Sequence, residues 1–208
     1  MNGVGNVCGV LLAGGQSRRM GGGDKSLRMF DGAPLLERII ATADPQVSAL
    51  CLNSNGDPAE YGAFGLPVVP DGVAGHAGPL AGILAGMEWV RNNHADCDWL
   101  ASFACDAPFI PADLVLRLLA GVCEGGADLA CARSGDRMHP VIGLWPMRLH
   151  RLLDQAVREE GVRKVDRWTA HYRLVAVEWS VDPVDPFFNV NSPEDFAEAE
   201  RLVVENGL

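Results

Sequence analysis

The stretch Leu11-Leu12-Ala13-Gly14-Gly15-Gln16-Ser17-Arg18-Arg19-Met20-Gly21-Gly22-Gly23-Asp24-Lys25 carries an apolar run that begins at Val7 into a glycine-rich, cationic loop. A short continuous apolar run closed by glycines suits a strand buried on both faces of a parallel sheet. Five glycines in the ten positions 14–23 permit positive φ and let several backbone N–H groups face one anion, while Arg18, Arg19 and Lys25 supply counter-charge. The loop therefore reads as a polyphosphate holder. It is not a Walker A loop, because Asp24 stands where that pattern needs glycine before lysine, and it lacks the G-x-G-x-x-G dinucleotide turn. A plain surface turn accounts poorly for so many glycines beside three cations directly after an apolar strand.

Working outward, apolar runs alternate with helical periodicity. Further strands are expected over 47–52, 66–69, 99–104, 127–131, 141–145 and 174–179, and helices over 34–43, 79–90, 111–122, 148–158 and 163–171. Ser192-Pro193-Glu194-Asp195 reads as a helix start, with Ser192 as N-cap, Pro193 in the first turn and Asp195 in the capping-box position. This order predicts an α/β fold, an open and mostly parallel sheet with helices on both faces, whose ligands gather at the carboxyl ends of the strands. The glycine loop, Asn53, Asp71 and Asp106 all fall at or just past such strand ends.

The chain has 208 residues, of which 48% are hydrophobic and 21% charged, enough for one well-buried domain and too short for two, so 1–208 reads as a single domain. A formal net charge of −10 argues against a nucleic-acid surface, and cations concentrated in one loop of an acidic chain point instead to a small anionic ligand. No stretch approaches the roughly twenty apolar residues of a membrane span. The apolar segment 7–13 lacks a basic flank and runs straight into the loop, so it does not read as a leader. Six cysteines (Cys8, Cys51, Cys97, Cys105, Cys123, Cys131) form no C-x-x-C pair and read as buried reduced thiols of a cytoplasmic protein.

Asp106, past an apolar strand, can meet a magnesium ion that bridges nucleotide phosphates; alternatively it stabilises the turn before Pro108 and Pro111. Lys25 at the end of the glycine loop favours a phosphate contact. Both side chains are expected to face solvent before a ligand binds. Gly78 and Gly82 flank a helix start, either as packing glycines or to let ligand approach. Asn53 and Asp71, read alone, are turn residues. Asn189 and Asn191 alternate around Val190, as an extended pair of amides or as a turn into the Ser192-capped helix. His139, before Pro140 in an apolar region, reads as structural, and no serine or cysteine is arranged near it as a nucleophile.

The order Leu12-Ala13-Gly14-Gly15, Arg18-Arg19-Met20-Gly21-Gly22, Asp24-Lys25 resembles the opening motif of the nucleotidyltransferases that act on the molybdenum cofactor, within a larger group that includes sugar-nucleotide pyrophosphorylases. Gly78-Pro79-Leu80-Ala81-Gly82, Cys105-Asp106-Ala107-Pro108, His139-Pro140 and Asn189-Val190-Asn191 extend the resemblance over nearly the whole chain. It implies a Rossmann-like three-layer sandwich of the nucleotide-diphospho-sugar transferase type. The implied reaction moves GMP from GTP onto the molybdopterin form of the cofactor, giving a guanine dinucleotide and pyrophosphate, with Mg2+ or Mn2+ as cofactor.

The same resemblance implies catalytic roles for Lys25, Asp106 and Arg19, with Asp106 as metal ligand. It places Leu12, Ala13, Gly14, Gly15, Arg19, Gly22, Lys25, Asn53, Asp71, Gly78 and Asp106 around the nucleotide, Asn53 and Asp71 reading guanine. Asn189, Asn191, Arg163 and Lys164 would hold the acceptor, so that the N-terminal part binds nucleotide and the C-terminal part the pterin. Relatives tend to carry arginine where this chain has Lys164, which removes a bidentate contact. Implied partners are GTP, the molybdopterin-bound cofactor, and transient contacts with cofactor-insertion proteins and molybdoenzymes; neither nucleic acid nor membrane is implied. The alternatives are a cytidylyltransferase on the same cofactor, a sugar-phosphate nucleotidyltransferase, or a non-catalytic nucleotide-binding protein that hands cofactor on.

Overall fold

A computed structural model describes residues 7–13, 24–73 and 78–208. In chain order the strands are β1 (Val7–Leu12), β2 (Met29–Phe30), β3 (Ala33–Pro34), β4 (Leu50–Asn53), β5 (Val68–Val69), β6 (Trp99–Ala104), β7 (Leu129–Ser134), β8 (Arg137–Pro146) and β9 (Leu174–Trp179). The helices are α1 (Leu35–Ala43), α2 (Pro79–Asn93), α3 (Leu114–Gly125), α4 (His150–Arg158), α5 (Val165–Thr169) and α6 (Pro193–Asn206). Seven strands form one sheet in the order β5-β4-β1-β6-β8-β7-β9, and β2 pairs with β3 in a separate hairpin.

β1 lies inside the sheet, parallel to β4 on one side and to β6 on the other. Its alternate side chains enter two different cores. Val7 and Leu11 pack with Leu35 and Ile39 of α1, Leu114 and Leu118 of α3 and Phe196 of α6. Cys8 and Val10 pack with Leu80, Ile83 and Leu84 of α2, Leu153 of α4 and Trp168 of α5. The period-two alternation of a strand thus separates two helical layers, and the expected mostly parallel sheet with helices on both faces is present.

The strand register brings the candidate residues to one edge. Leu12 stands opposite Asn53 and Ala104, and Asn53 stands opposite Val69. Chain leaving this row runs on to Ala13, Asp71 and Asp106, all beyond the carboxyl ends of parallel strands.

Several boundaries differ from the sequence expectation. β8 runs against both of its neighbours, because only two residues separate it from β7 and such a connection makes a hairpin. Residues 163–171 shrink to the five-residue α5. The hairpin β2–β3 and a 3-10 helix over Pro58–Phe64 were not expected; Asp57 caps that helix by accepting from the Ala59 N–H, and Pro58 opens it. Of the six free cysteines, Cys123 is exposed rather than buried, because it lies on the outward side of α3.

Candidate functional site

Lys25 opens a short 3-10 turn over Lys25–Leu27, and Asp24 caps that turn by accepting from the Ser26 N–H at 2.8 Å. The Lys25 ammonium then donates at 2.7 Å to Asp106 Oδ2 and at 2.7 Å to Asn191 Oδ1. Three segments far apart in sequence thereby meet at the carboxyl edge of the sheet. The two charged side chains are only 18% and 21% exposed, so the expectation that both face solvent is corrected: each covers the other. Leu12, Ala13, Asp24, Lys25, Cys105 and Asp106 line a shallow, solvent-open cleft. Burial, with the Asp24 and Asp106 charges beside it, pushes the Cys105 thiol well above its ordinary pKa, so this cysteine stays a neutral wall residue.

Asn191 is held from behind. The carboxylate of Asp195 accepts from the Asn191 N–H at 2.8 Å and the Ser192 N–H at 2.9 Å, while Ser192 Oγ accepts from the Asp195 N–H, closing the capping box at the start of α6. The backbone bond to Asn191, ahead of the Ser192 contacts, holds the Asp195 carboxyl below the usual carboxylate range. The Val190 N–H donates to the Asp106 carbonyl at 2.8 Å, so the Asn189–Val190–Asn191 segment is tied to the loop that carries Asp106. Asn189 Oδ1 is buried without a hydrogen-bond partner among the described residues.

A second cluster forms beside β4. Asn53 is 4% exposed, and its amide nitrogen donates to the Val69 carbonyl and to Asp71 Oδ1, each at 3.0 Å. Asn55 Nδ2 donates to Asp71 Oδ2 at 2.8 Å, and the Asp71 N–H returns a bond to Asn55 Oδ1 at 2.9 Å. Asp71 is therefore aimed by two amides. Gly82 makes room for this arrangement, since a Cβ there would stand 2.3 Å from Asn53 Oδ1 and 2.8 Å from Leu12 Cδ2. Its role, open from sequence, is packing against Asn53. Gly78 adopts φ +71°, and a Cβ would meet the Arg163 carbonyl at 3.0 Å.

Other candidates stand apart or outside the described residues. Gly14, Gly15, Arg19 and Gly22 lie outside them. Arg163 turns its guanidinium to the carbonyls of Val157 and Val162, beyond the end of α4, while the neighbouring Lys164 is exposed. Neither takes part in the hydrogen bonds that join Lys25 to Asp106 and Asn191. His139 is a core residue, 6% exposed, with Nε2 2.8 Å from Ser134 Oγ and its ring against Phe187; burial lowers its pKa. Among the described residues no group of three His, Cys, Asp or Glu side chains converges as a metal cage, and no helix is long and apolar enough to cross a membrane.

Sequence reasoning gave no role to Asp24, Ser54, Asn55 or Tyr61. Asn55 lies in the cluster Asn53-Ser54-Asn55-Gly56-Asp57, whose residue types signal a turn but not its contacts. Tyr61 lies in the 3-10 helix, which the Asp57-Pro58 start signal could have revealed.

The profile of the MobA-like NTP transferase domain matches residues 9–174. The chain belongs to this family. It is a nucleotidyltransferase, and a molybdenum cofactor guanylyltransferase from Nitrobacter hamburgensis is 53% identical to it over 199 residues, 96% of this chain and 95% of that protein. Among solved structures, the molybdopterin-guanine dinucleotide biosynthesis protein A from Archaeoglobus fulgidus superposes with a TM-score of 0.72 at 22% identity, covering 95% of this chain and 99% of that one. Rv0371C from Mycobacterium tuberculosis, in complex with manganese, gives 0.67 at 19% identity over 94% and 98%. At these identities the two structures bear on the fold, which is that of MobA-like nucleotidyltransferases.

Proposed function

We propose that this MobA-like nucleotidyltransferase moves GMP from GTP onto the terminal phosphate of the molybdopterin form of the molybdenum cofactor and releases pyrophosphate. The observation that carries the reading is the Lys25 ammonium suspended between Asp106 and Asn191 at the carboxyl edge of the sheet. The name borne by the Nitrobacter relative supports the choice of substrates.

The acceptor is a phosphate monoester, whose second pKa near ~6 leaves it largely dianionic at neutral pH, so attack on the α-phosphorus needs no histidine base. The barrier is repulsion between two anions, and positioned positive charge lowers it. Lys25 supplies such charge at the mouth of the cleft, and its ammonium can turn from Asp106 to an arriving phosphate. Asn191 stays fixed by Asp195 and holds the ammonium on the acceptor side. Arg19, Gly14, Gly15 and Gly22 are assigned to the phosphates by their motif, and Leu12 and Ala13 by their place on the cleft wall. Asn189, whose amide oxygen has no partner among the described residues, is assigned to the acceptor; Arg163, whose carbonyl lies beside Gly78, and the next residue, Lys164, would meet its distal part.

The donor set fits a divalent ion. Asp106 and Asn191 present hard oxygen atoms, one from a carboxylate and one from an amide, that already converge on a cation, and Mg2+ or Mn2+ takes one or two such protein ligands and completes its shell with substrate oxygens. Asp106 would hold the ion, which when bound neutralises phosphate charge.

Base choice rests on Asp71. Its carboxylate, aimed by Asn53 and Asn55, can accept the paired N1–H and N2–H donors of guanine, a pair that adenine and cytosine do not present. An unpaired buried polar group costs roughly 1–3 kcal/mol, so GTP should be preferred about tenfold or more. Pyrophosphate release is to be measured with each of the four nucleoside triphosphates, Mg2+ and the molybdopterin form of the cofactor. GTP alone should support rapid release, whereas equal or better turnover with CTP would sink the guanine assignment.

A further inference from the structure

Asp24 poses an electrostatic problem. Its carboxylate lines the same cleft as Lys25 and Asp106, where an extra negative charge repels a polyphosphate and competes for the ammonium. Both of its oxygens are already engaged. Oδ1 accepts from the Ser26 N–H, and Oδ2 accepts from Tyr61 Oη at 2.6 Å. Tyr61 is 1% exposed, and Ser54 Oγ donates to its oxygen at 2.9 Å, while the Gly56 N–H donates to Ser54 Oγ at 3.1 Å.

The direction of this chain is fixed by its ends. A backbone N–H only donates and a carboxylate only accepts, so Gly56 donates to Ser54, Ser54 to Tyr61, and Tyr61 to Asp24. Burial, followed by the bond to Asp24, pushes the Tyr61 pKa up, so the phenol remains a donor throughout the working pH range. The chain also joins the two clusters of the site. Ser54 follows Asn53 at the end of β4, and Asp24 precedes Lys25.

We propose that Tyr61 is a positioning residue that acts through Asp24, occupying its Oδ2 so that the carboxylate neither captures Lys25 nor repels the nucleotide phosphates. The inference deepens the reading of the cleft as a GTP site and rests on it. Removing the phenolic hydroxyl takes the Tyr61 bond from Asp24 Oδ2 in the cleft that Asp24 shares with Lys25, whereas Asp24→Asn removes the charge yet keeps a side chain that caps helical turns well. The hydroxyl should then matter only while the carboxylate is present.

The test is a double-mutant cycle on Tyr61→Phe and Asp24→Asn, with kcat and KM for GTP and the melting temperature measured for all four proteins. Hydrogen bonds to charged groups are worth enough that Tyr61→Phe should lower kcat/KM for GTP about tenfold, with KM rising more steeply at low salt than at high salt. In the Asp24→Asn background the same change should have less than about a twofold effect. An equal loss in both backgrounds, or no loss in the wild-type background, overturns the proposal, because Tyr61 would then act through packing alone or not at all. If the wild-type protein turns over no GTP, the proposed reaction fails separately. The positioning is then read from the 1H–15N signal of the Lys25 ammonium in the ligand-free protein. Tyr61→Phe should move that signal and Asp24→Asn should cancel the movement; an unmoved signal overturns the proposal.

Discussion

Gly82 shows how one missing side chain sets the geometry of a site. The Asn53 amide oxygen occupies the space that a Cβ would need, at 2.3 Å, well inside any real contact. Gly82→Ala must push Asn53 away from Asp71, and through it the carboxylate assigned to guanine. Overpacking of this kind costs about 1–3 kcal/mol, so the variant should melt lower. It should also lose guanine preference about tenfold, the equivalent of one lost hydrogen bond to a charged group, in competition assays with mixed nucleotides. Unchanged preference would detach Asn53 from base choice. The sequence placed Gly82 on a helix start but left its purpose open, because a packing glycine and a ligand-facing glycine look alike without a neighbour. Asn53, 29 positions earlier in the chain, is that neighbour.

At the scale of elements, the start of α6 was legible and its consequence was not. Ser192, Pro193 and Asp195 carry a local pattern that dictates a capping box, and the box forms. That the same Asp195 carboxylate also grips the Asn191 N–H, and so sets an amide against Lys25, follows from a contact across 166 positions. Asp195→Ala removes acceptors for both N–H groups. It should cost about 1 kcal/mol of stability, as helix caps do, and lower the melting temperature by roughly 2–4 °C. Turnover should fall further than this stability loss explains, because Asn191 is freed. A lower melting temperature with wild-type turnover would show that the cap serves only the helix. The reversed direction of β8 escaped sequence reading for a related reason: alternation reveals that a segment is a strand, whereas its direction depends on the length of its connection to β7.

Across the whole molecule, the parallel register of β5, β4, β1 and β6 collects Asp71, Ala13 and Asp106 on one edge, and the segment that leads into α6 is tied to the same edge by the Val190 N–H bond to the Asp106 carbonyl. An acidic chain with a net charge of −10 thus presents a lysine where its strands end. The alternation of apolar runs made this edge predictable, since ligands gather at the carboxyl ends of parallel strands. The mutual pairing of Lys25 with Asp106 was not predictable, since opposite charges 81 positions apart carry no local signature. On the proposed function this pair serves transfer chemistry rather than the fold. Single-turnover release of pyrophosphate from GTP in the presence of the molybdopterin-form cofactor and Mg2+ tests it most directly, comparing wild type with Lys25→Ala and Asp106→Asn while circular dichroism monitors the fold. The predicted result is a loss of about 100-fold or more in the transfer rate of each variant with an unchanged spectrum; a wild-type rate in either folded variant would contradict the account.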